Sequence, residues 1–296
     1  MTETGRVFSI SQVTTLPASF DQDLAAYAAA GVDGIGIWEI KLPDGDDAAT
    51  AERLRDSGLL STNAVPAVPS ILPLSVLPGP TEPRERVDAL CASIERLARF
   101  EPTSVVFLTG SALGVSDARG AVVEGLKRIA DAAGRAGVRA GLEPYQRIGG
   151  DEWSIVGSIG EAIELLDEAD TPSLGITFDV WHLWNTPTLF DDIRAHVGRF
   201  TGVHVDDYRS PTRGWADRVL PGDGVAVVPR ILAALEEAGW TGPYDLEIFS
   251  DNGTFGTSYA DSLWNVRPEE LAASAKAAFE SVWAARENYA QLSFSR

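Results

Sequence analysis

The chain alternates short apolar segments with longer amphipathic ones, and this alternation repeats eight times. The short segments are rich in β-branched residues, and the longer ones repeat apolar residues with the 3.6-residue period of a helix. Strands that alternate with helices form parallel sheets, because each helix carries the chain back to the start of the next strand. We predict strands at 7–10, 34–38, 59–65, 104–109, 138–143, 174–179, 201–205 and 244–249.

Helical patterns cover 20–30, 48–57, 84–100, 118–136, 159–168, 228–238 and 268–291, and a weaker one covers 188–197. Eight such units without a break in composition predict a single α/β domain over residues 1–296, folded as one (β/α)8 TIM barrel. The alternative is an open doubly wound sheet, which needs fewer strands and a glycine-rich first turn. The first turn reads SISQVTTLPAS and has no GxGxxG pattern, which favours the barrel.

Four of the predicted strands carry a residue that can bind a metal ion at their last position or within two residues of it, namely Glu143, Asp179, His204 and Glu247. The carboxyl ends of parallel barrel strands meet at one mouth, so these side chains should converge there. A single strand-end carboxylate is usually solvated or caps a helix, and His204 alone would more often be a hydrogen-bonded barrel histidine. Four such residues at four strand ends predict one divalent metal site.

The predicted ligand set also limits the ion. Three carboxylates and one imidazole suit Mn²⁺, Mg²⁺ or Co²⁺, whereas a structural zinc site would ask for thiolates. Three carboxylates at one mouth would repel one another without a cation.

His182 lies three residues after Asp179, where it could serve as a substrate hydrogen-bond partner or proton shuttle. Packing among the neighbouring tryptophans is the other interpretation of His182.

Charge and hydropathy exclude several classes of partner. The net charge of −19 repels a phosphate backbone, so nucleic acid is a poor candidate partner. No run of about 18 apolar residues is present, which argues against a membrane span. The first residues, MTETGRVFSI, lack the basic and apolar regions of a signal peptide. Together with the single cysteine, these features predict a cytoplasmic protein.

Three long loops follow predicted strands, at 64–83, 209–224 and 250–266. Long loops in compact domains are commonly lids or binding loops. The loop at 64–83 is rich in proline and apolar residues, so it could equally form a subunit contact. In that case the protein would be a homo-oligomer.

The predicted mouth is rich in aromatic and basic residues. Its tryptophans are Trp38, Trp153, Trp181, Trp184, Trp215 and Trp264. Aromatic faces stack on sugar rings and aryl groups, or they pack loops over the barrel. We expect Trp38, Trp181 and Trp184 to contact the substrate, which would then be larger or more apolar than a triose. Arg213 and Arg218 could hold a phosphate or carboxylate, or they could form surface salt bridges.

Four motifs, LEPY, TFDVWHLW, VHVDDYR with the later GDG, and YDLEIF, resemble those of the xylose isomerase-like barrel superfamily of sugar phosphate isomerases and epimerases. The resemblance extends from the first strand to the last helix. It implies that Glu143, Asp179, His204 and Glu247 bind the metal. It also implies that Glu143 and Glu247 face opposite sides of the substrate as an acid/base pair.

The resemblance adds two further residues. It implies that His182 contacts a substrate oxygen, and that Arg147 occupies a place where epimerases carry an arginine. Ketose 3-epimerases also carry a glutamate six residues after the first metal glutamate, where this chain has Gly149. They place an arginine six residues after the metal histidine, whereas here Arg209 lies five residues after it and Ser210 lies six after it. These departures argue against a simple free-ketohexose epimerase. We also predict that Arg209 and Arg218 bind the substrate.

The predicted function is a divalent-metal-dependent isomerase or epimerase of a sugar, keto-sugar or cyclitol, acting through a metal-stabilised enediolate. The alternative is a lyase of the same superfamily. That lyase would be an inosose or dehydroshikimate-type dehydratase, or a C-glycoside-cleaving subunit with a small partner chain. A DNA repair nuclease of the same fold needs many histidines, and this chain has 3.

Overall fold

The computed structural model describes residues 6–77, 79–146 and 153–290, and its centre is a closed barrel of eight parallel strands. The strands are β1 (Phe8–Ser11), β2 (Gly34–Trp38), β3 (Leu60–Val65), β4 (Ser104–Phe107), β5 (Ala140–Leu142), β6 (Gly175–Asp179), β7 (Phe200–Val205) and β10 (Tyr244–Leu246). Each strand pairs with its chain neighbour in the barrel, and β10 closes the ring against β1. The predicted (β/α)8 barrel is confirmed.

Helices surround the barrel and bury their apolar faces against it. They are α1 (Phe20–Ala29), α2 (Asp47–Ser57), α3 (Pro83–Leu97), α4 (Ala118–Ala136), α5 (Ile159–Glu168), α6 (Val180–Leu183), α7 (Leu189–His196), α8 (Val228–Ala238), α9 (Pro268–Ala285) and α10 (Glu287–Ala290). The helix predicted at 268–291 is thus divided after Ala285. In the ranges that the structure describes, none of the helices is both long and apolar enough to cross a bilayer.

Local sequence signals set where these helices begin and end. Ser19 and Gln22 form a capping box at the start of α1, each side chain accepting a hydrogen bond from the other residue's backbone N–H. Gly58 and Gly137 end α2 and α4 with positive φ angles of 77° and 70°. This left-handed conformation suits glycine, and it releases the chain into the next strand.

Glycines make room for polar side chains that cross inside the barrel. A Cβ atom on Gly36 would lie 2.2 Å from the Oδ2 atom of Asp245, and one on Gly141 would lie 2.1 Å from the Oγ1 atom of Thr201. Asp245 is held by the hydroxyl of Ser9, which donates to its Oδ1 atom over 2.9 Å. The barrel interior below the mouth is therefore filled by side chains, and open space for a ligand lies above the strand ends.

A short hairpin extends the chain beyond β7 and lies over the mouth. It consists of β8 (Asp207–Tyr208) and β9 (Arg218–Val219), which pair antiparallel. The Asp207 carboxylate accepts hydrogen bonds from the backbone N–H groups of Gly222 and Ala226, both over 2.9 Å. These bonds fix the return of the hairpin towards α8, and they hold β9 beside the strand ends.

The apolar loop at 64–83 packs over the mouth instead of standing free. Ile71 and Leu72 are fully buried. Arg86, at the start of α3, is itself buried and clamps the loop, donating to the backbone oxygens of Ser70 over 3.0 Å and Pro80 over 2.9 Å. Most of the loop's apolar surface is therefore used within the chain, and the predicted homo-oligomer stays a prediction.

Candidate metal centre and substrate cavity

The four strand-end residues converge on one point at the mouth of the barrel. One ligand atom from each of Glu143, Asp179, His204 and Glu247 lies within 4.8 Å of the others, and all four residues are buried. The His204 Nδ1 atom lies 3.1 Å from the Glu143 Oε1 atom, 3.3 Å from the Glu247 Oε2 atom and 3.9 Å from the Asp179 Oδ2 atom. The expected convergence of these four side chains is thus present in the structure.

Strand order explains why these residues meet. In the barrel β5, β6, β7 and β10 are consecutive neighbours, so their carboxyl ends form one arc. Asp179 and His204 are paired in register on β6 and β7. Glu143 and Glu247 lie one residue beyond β5 and β10, and their backbone N–H groups still bond the adjacent strands, at Phe107 and Val205. The sheet therefore fixes the backbone beneath all four side chains.

The spacing of the four ligand atoms fits a divalent cation. Bonds of about 2.1 Å in an octahedral shell put neighbouring ligands about 3.0 Å apart and opposite ligands about 4.2 Å apart. The distances from His204 Nδ1, 3.1 to 3.9 Å, fall in that interval. The other oxygen of Asp179, Oδ1, accepts the backbone N–H of Trp181 over 2.7 Å, so the orientation of this carboxylate is set before any ion binds.

A buried arginine lies beside the four residues. The Nη1 atom of Arg218 lies 2.9 Å from Asp179 Oδ2, 2.6 Å from Asp206 Oδ2 and 3.4 Å from Glu247 Oε2. Its side chain is only 2% exposed, which excludes a surface salt bridge. Its Nη2 atom lies 3.3 Å from the Nε2 atom of His182. Arg218 therefore supplies positive charge to a pocket that is otherwise strongly acidic.

Burial and charge shift the titration of these groups in opposite directions. Burial raises the pKa of Glu143 to about 8, although the contact with His204 partly offsets this effect. Burial acts in the same sense on Asp179, but Arg218 and the two histidines outweigh it and lower the pKa of that carboxyl to about 2. Asp179 is thus ionised at neutral pH, whereas Glu143 holds a proton until a cation or substrate changes its surroundings.

His182 is buried beside the cluster as a neutral imidazole. Desolvation lowers its pKa to about 3. The charge of Arg218 acts in the same direction, and the charge of Asp179 opposes both effects. The ring stacks on Tyr145 with centroids 3.7 Å apart and meets Trp181 edge-on. Its Nδ1 atom has no hydrogen-bond partner among the described residues. A neutral ring with one unpaired nitrogen is suited to contact a ligand oxygen.

The cluster opens into a cavity whose wall is largely apolar. The residues that line it are Trp38, Val65, Pro69, Leu74, Val76, Leu77, Val106, Leu108, Glu143, Tyr145, Gln146, Trp153, Trp181, His182, Trp215, Arg218, Glu247 and Phe249. Of the four candidate ligands, Glu143 and Glu247 line this cavity, whereas Asp179 and His204 do not. The two glutamates are therefore the ligands that a bound molecule can reach.

The predicted substrate-binding residues divide into two groups. Trp38, Trp181 and Arg218 line the cavity, as does His182. Trp184 lies outside the lining and packs against Tyr208, with ring centroids 5.1 Å apart. Trp184 lies one turn further from the strand end than Trp181, and its assignment to the substrate stays a prediction.

Two arginines at the rim of the mouth, Arg209 and Arg213, form ion pairs. Arg209 and Arg213 are paired with Asp217 and Asp261, which forms an ion-pair network outside the cavity. The salt-bridge interpretation of Arg213 thus matches the structure. Arg209 is paired at the rim as well, and its assignment to substrate binding stays a prediction. Arg147 lies outside the described residues.

Three residues of the site were not predicted from the sequence, namely Tyr145, Asp206 and Phe249. Each follows a predicted ligand by two positions, after Glu143, His204 and Glu247. Side chains two positions apart along an extended chain point to the same side, so this spacing was a usable signal. Burial and the charge of Asp179 raise the pKa of Asp206 well above its usual range, although Arg218 opposes them.

Comparison with known proteins places the chain in one group. The model of the family described as xylose isomerase-like TIM barrel matches residues 24–281. The inosose isomerase of Halalkalibacterium halodurans is 25% identical over 150 residues, which are 49% of this chain and 52% of that protein. The L-ribulose-5-phosphate 3-epimerase of Salmonella typhi is 27% identical over 130 residues, which are 43% of this chain and 42% of the epimerase. The chain therefore spans about half the length of these relatives.

Solved structures share the fold over nearly the full chain. A protein from Sinorhizobium meliloti superimposes with a TM-score of 0.81, at 22% sequence identity, over 94% of this chain and 98% of its own. The superposition shows a common barrel fold. An identity this low does not indicate the substrate.

Proposed function

The chain belongs to the xylose isomerase-like TIM barrel family, and on that premise we propose that it is a metal-dependent isomerase or epimerase of a sugar, keto-sugar or cyclitol. The observation that carries this proposal is the buried cluster of three carboxylates and one imidazole at the barrel mouth. The similarity to an inosose isomerase and to an L-ribulose-5-phosphate 3-epimerase supports the reaction class.

We assign Glu143, Asp179, His204 and Glu247 as the ligands of one divalent ion. Their oxygen-rich donor set favours Mn²⁺, Mg²⁺ or Co²⁺. When bound, such an ion polarises a carbonyl and its neighbouring hydroxyl, which makes the carbon-bound hydrogen between them acidic. The remaining chemistry falls to side chains of the protein.

Glu143 and Glu247 are the proposed acid/base pair, because they are the two ligands that line the cavity. Once ionised, one carboxylate removes the proton from the substrate carbon. The other carboxyl returns a proton to the same carbon from the opposite face in an epimerisation, or to the neighbouring carbon in an isomerisation. Asp179, with its pKa lowered to about 2, stays ionised throughout and serves as a ligand only.

His182 and Arg218 are the proposed contacts to substrate oxygens. The unpaired Nδ1 atom of His182 is able to donate one hydrogen bond, since Nε2 faces the Arg218 guanidinium and must accept. Arg218 brings a fixed positive charge next to the oxygens on which negative charge develops during proton removal. Trp38 and Trp181 complete the wall against which the substrate carbon skeleton lies.

Proton exchange in D₂O tests this function. We would incubate the Mn²⁺-loaded protein with a panel of keto-sugars and inososes and follow the products by mass spectrometry. One deuterium at the carbon beside the carbonyl, in a product of otherwise unchanged mass, is the expected result. Loss of water or of an aglycone would instead assign the lyase alternative. Absence of exchange with every member of the panel would contradict the proposal.

Two controls make the exchange experiment specific. Removal of the metal with a chelator should abolish exchange, and readdition of Mn²⁺ should restore it. The Glu247→Gln variant should be inactive, whereas the exposed Glu270→Gln variant should exchange like the wild type, since Glu270 pairs with Arg267 on the outer surface.

A further inference from the structure

Aromatic rings form a level directly above the candidate metal ligands. Tyr145, Trp181 and Phe249 each follow a ligand carboxylate by two positions, and all three line the cavity. Two of them are almost fully buried, with Trp181 3% and Phe249 7% exposed. A molecule chelated by the ligands would therefore lie next to these three rings in the cavity.

The aromatic surface continues outward from this level. Trp153 lies parallel to Tyr145 at 6.1 Å and contacts Trp215 at 5.0 Å, and Trp215 contacts Phe249 at 5.5 Å. Tyr145, Trp153, Trp215 and Phe249 form a continuous aromatic wall of the cavity, and two of them, Tyr145 and Phe249, follow a candidate ligand by two positions. The four residues come from three separate segments, so only the folded chain brings them together.

The loop at 64–83 contributes a second apolar surface. Pro69, Leu74, Val76 and Leu77 line the same cavity, and the buried Arg86 clamp holds this loop in place. An aliphatic surface and an aromatic wall lining one cavity suit a flat apolar group, because both surfaces lose contact with water when the group enters.

Two polar side chains of the wall, Gln146 and Arg218, are already engaged by other groups of the protein. Gln146 donates to the backbone oxygen of Trp181 over 2.7 Å. Arg218 is the only cation among the described lining residues, and it already lies within 3.4 Å of oxygens from Asp179, Asp206 and Glu247. A phosphate would meet three carboxylates at this arginine, which disfavours phosphorylated substrates.

We propose that the sugar, keto-sugar or cyclitol substrate of this site carries an aryl substituent close to its chelating carbonyl and hydroxyl, and that it carries no phosphate. This inference rests on the proposed function, since it uses the metal cluster to fix the polar end of the substrate. The aromatic wall and the loop at 64–83 then receive the aryl end.

Three small α-hydroxy ketones separate the alternatives, because they share the chelating end and differ in one group. They are 2-hydroxyacetophenone with a phenyl group, hydroxyacetone with a methyl group, and dihydroxyacetone phosphate. We would measure their binding to the Mn²⁺-loaded protein by calorimetry. The phenyl compound should bind about 10- to 100-fold more tightly than the methyl compound, given the added apolar area. The phosphate should bind no more tightly than hydroxyacetone. Equal affinities, or tightest binding of the phosphate, would overturn the inference.

Substitutions locate the preference in the cavity. Trp215→Leu and Trp153→Leu should each reduce the phenyl-over-methyl preference by about threefold or more. Trp240→Leu is the matched control, because Trp240 packs against Phe200 and does not line the cavity. Thermal melts confirm that each variant is folded. An unchanged preference in both cavity variants would place the aryl group elsewhere and overturn the assignment.

The same compounds distinguish this inference from the proposed function. Both ketones carry exchangeable hydrogens beside the carbonyl, so deuterium exchange reports on proton transfer independently of affinity. Exchange without a phenyl preference contradicts the aryl inference and leaves the proposed function intact. A phenyl preference that persists after metal removal, with no exchange under any condition, contradicts the proposed function instead.

Discussion

Two arginine–carboxylate clusters lie on either side of β9, and they differ in almost every physical respect. The central cluster places Arg218 against Asp179, Asp206 and Glu247 at the barrel mouth. The rim cluster joins Arg209 and Arg213 to Asp217 and Asp261. Asp217 and Arg218 are neighbours in the chain, yet each belongs to a different cluster. Successive side chains of an extended strand point to opposite sides, which explains the division.

Burial decides what each cluster contributes. Arg218 is 2% exposed, whereas the side chains of Arg213 and Asp261 are 39% and 52% exposed. Water and salt screen a half-exposed ion pair, so its net stabilisation is small. Removing one partner from a buried cluster leaves charges without compensation, which is costly. The same residue types therefore organise chemistry at the centre and join two loops at the rim.

The largest effect should follow a change at the centre that removes a proton-transfer group. We expect Glu247→Gln to lower the deuterium-exchange rate by about 10²- to 10⁴-fold, because the amide cannot accept the substrate proton. Bound Mn²⁺ should be measured in parallel, since Glu247 is also a proposed ligand. A rate within tenfold of the wild type at full metal occupancy would remove Glu247 from the acid/base pair.

The next effect concerns folding. We expect Arg218→Met to lower the free energy of unfolding by about 3 kcal/mol in the metal-free protein, because three buried carboxylates lose their cation. Urea denaturation measures this change, with Arg213→Met as the matched variant at the rim. Equal losses in the two variants would show that burial does not separate the two clusters.

A third expectation concerns the competition between protons and metal at the centre. In the metal-free protein Glu143 holds a proton below its pKa of about 8, and the carboxylates around His204 raise its pKa well above the usual value despite burial. Metal binding must release these protons. The affinity for Mn²⁺ should therefore rise with pH by about tenfold per unit for each proton released, until both groups have lost their protons. Calorimetry in a pH series would contradict this if the affinity stayed constant between pH 6 and 8.

The smallest effect is expected at the rim. Arg213→Ala should cost less than about 1 kcal/mol of unfolding free energy, since the Arg213 side chain is 39% exposed and Arg209 still pairs with the buried Asp217. The loss should shrink further at high salt. Exchange activity should stay within about twofold of the wild type. A large loss of activity in this variant would show that the rim cluster positions the central one.

The residues of the site were not equally predictable from the amino-acid sequence. The strand-end residues Glu143 and Asp179 were predictable, because the parallel barrel brings strand ends together. Trp184 and Arg209 do not line the described cavity, and their assignment to the substrate stays a prediction, since tryptophans and arginines near a barrel mouth have similar sequence contexts whether or not they face the cavity. Asp206 escaped notice, although its spacing from His204 matched that of an inward side chain.

Local sequence patterns are enough to place the eight strand–helix units and the four metal-binding residues on one arc of the barrel. Short-range periodicity and the fixed geometry of parallel strands are sufficient for both. Those patterns do not show that Arg218 turns inward while Asp217 turns outward, or that distant aromatic residues form one wall. Those outcomes depend on how the hairpin β8–β9 and the long loops pack over the mouth. Such packing is set by contacts between residues far apart in the chain, which no local pattern records.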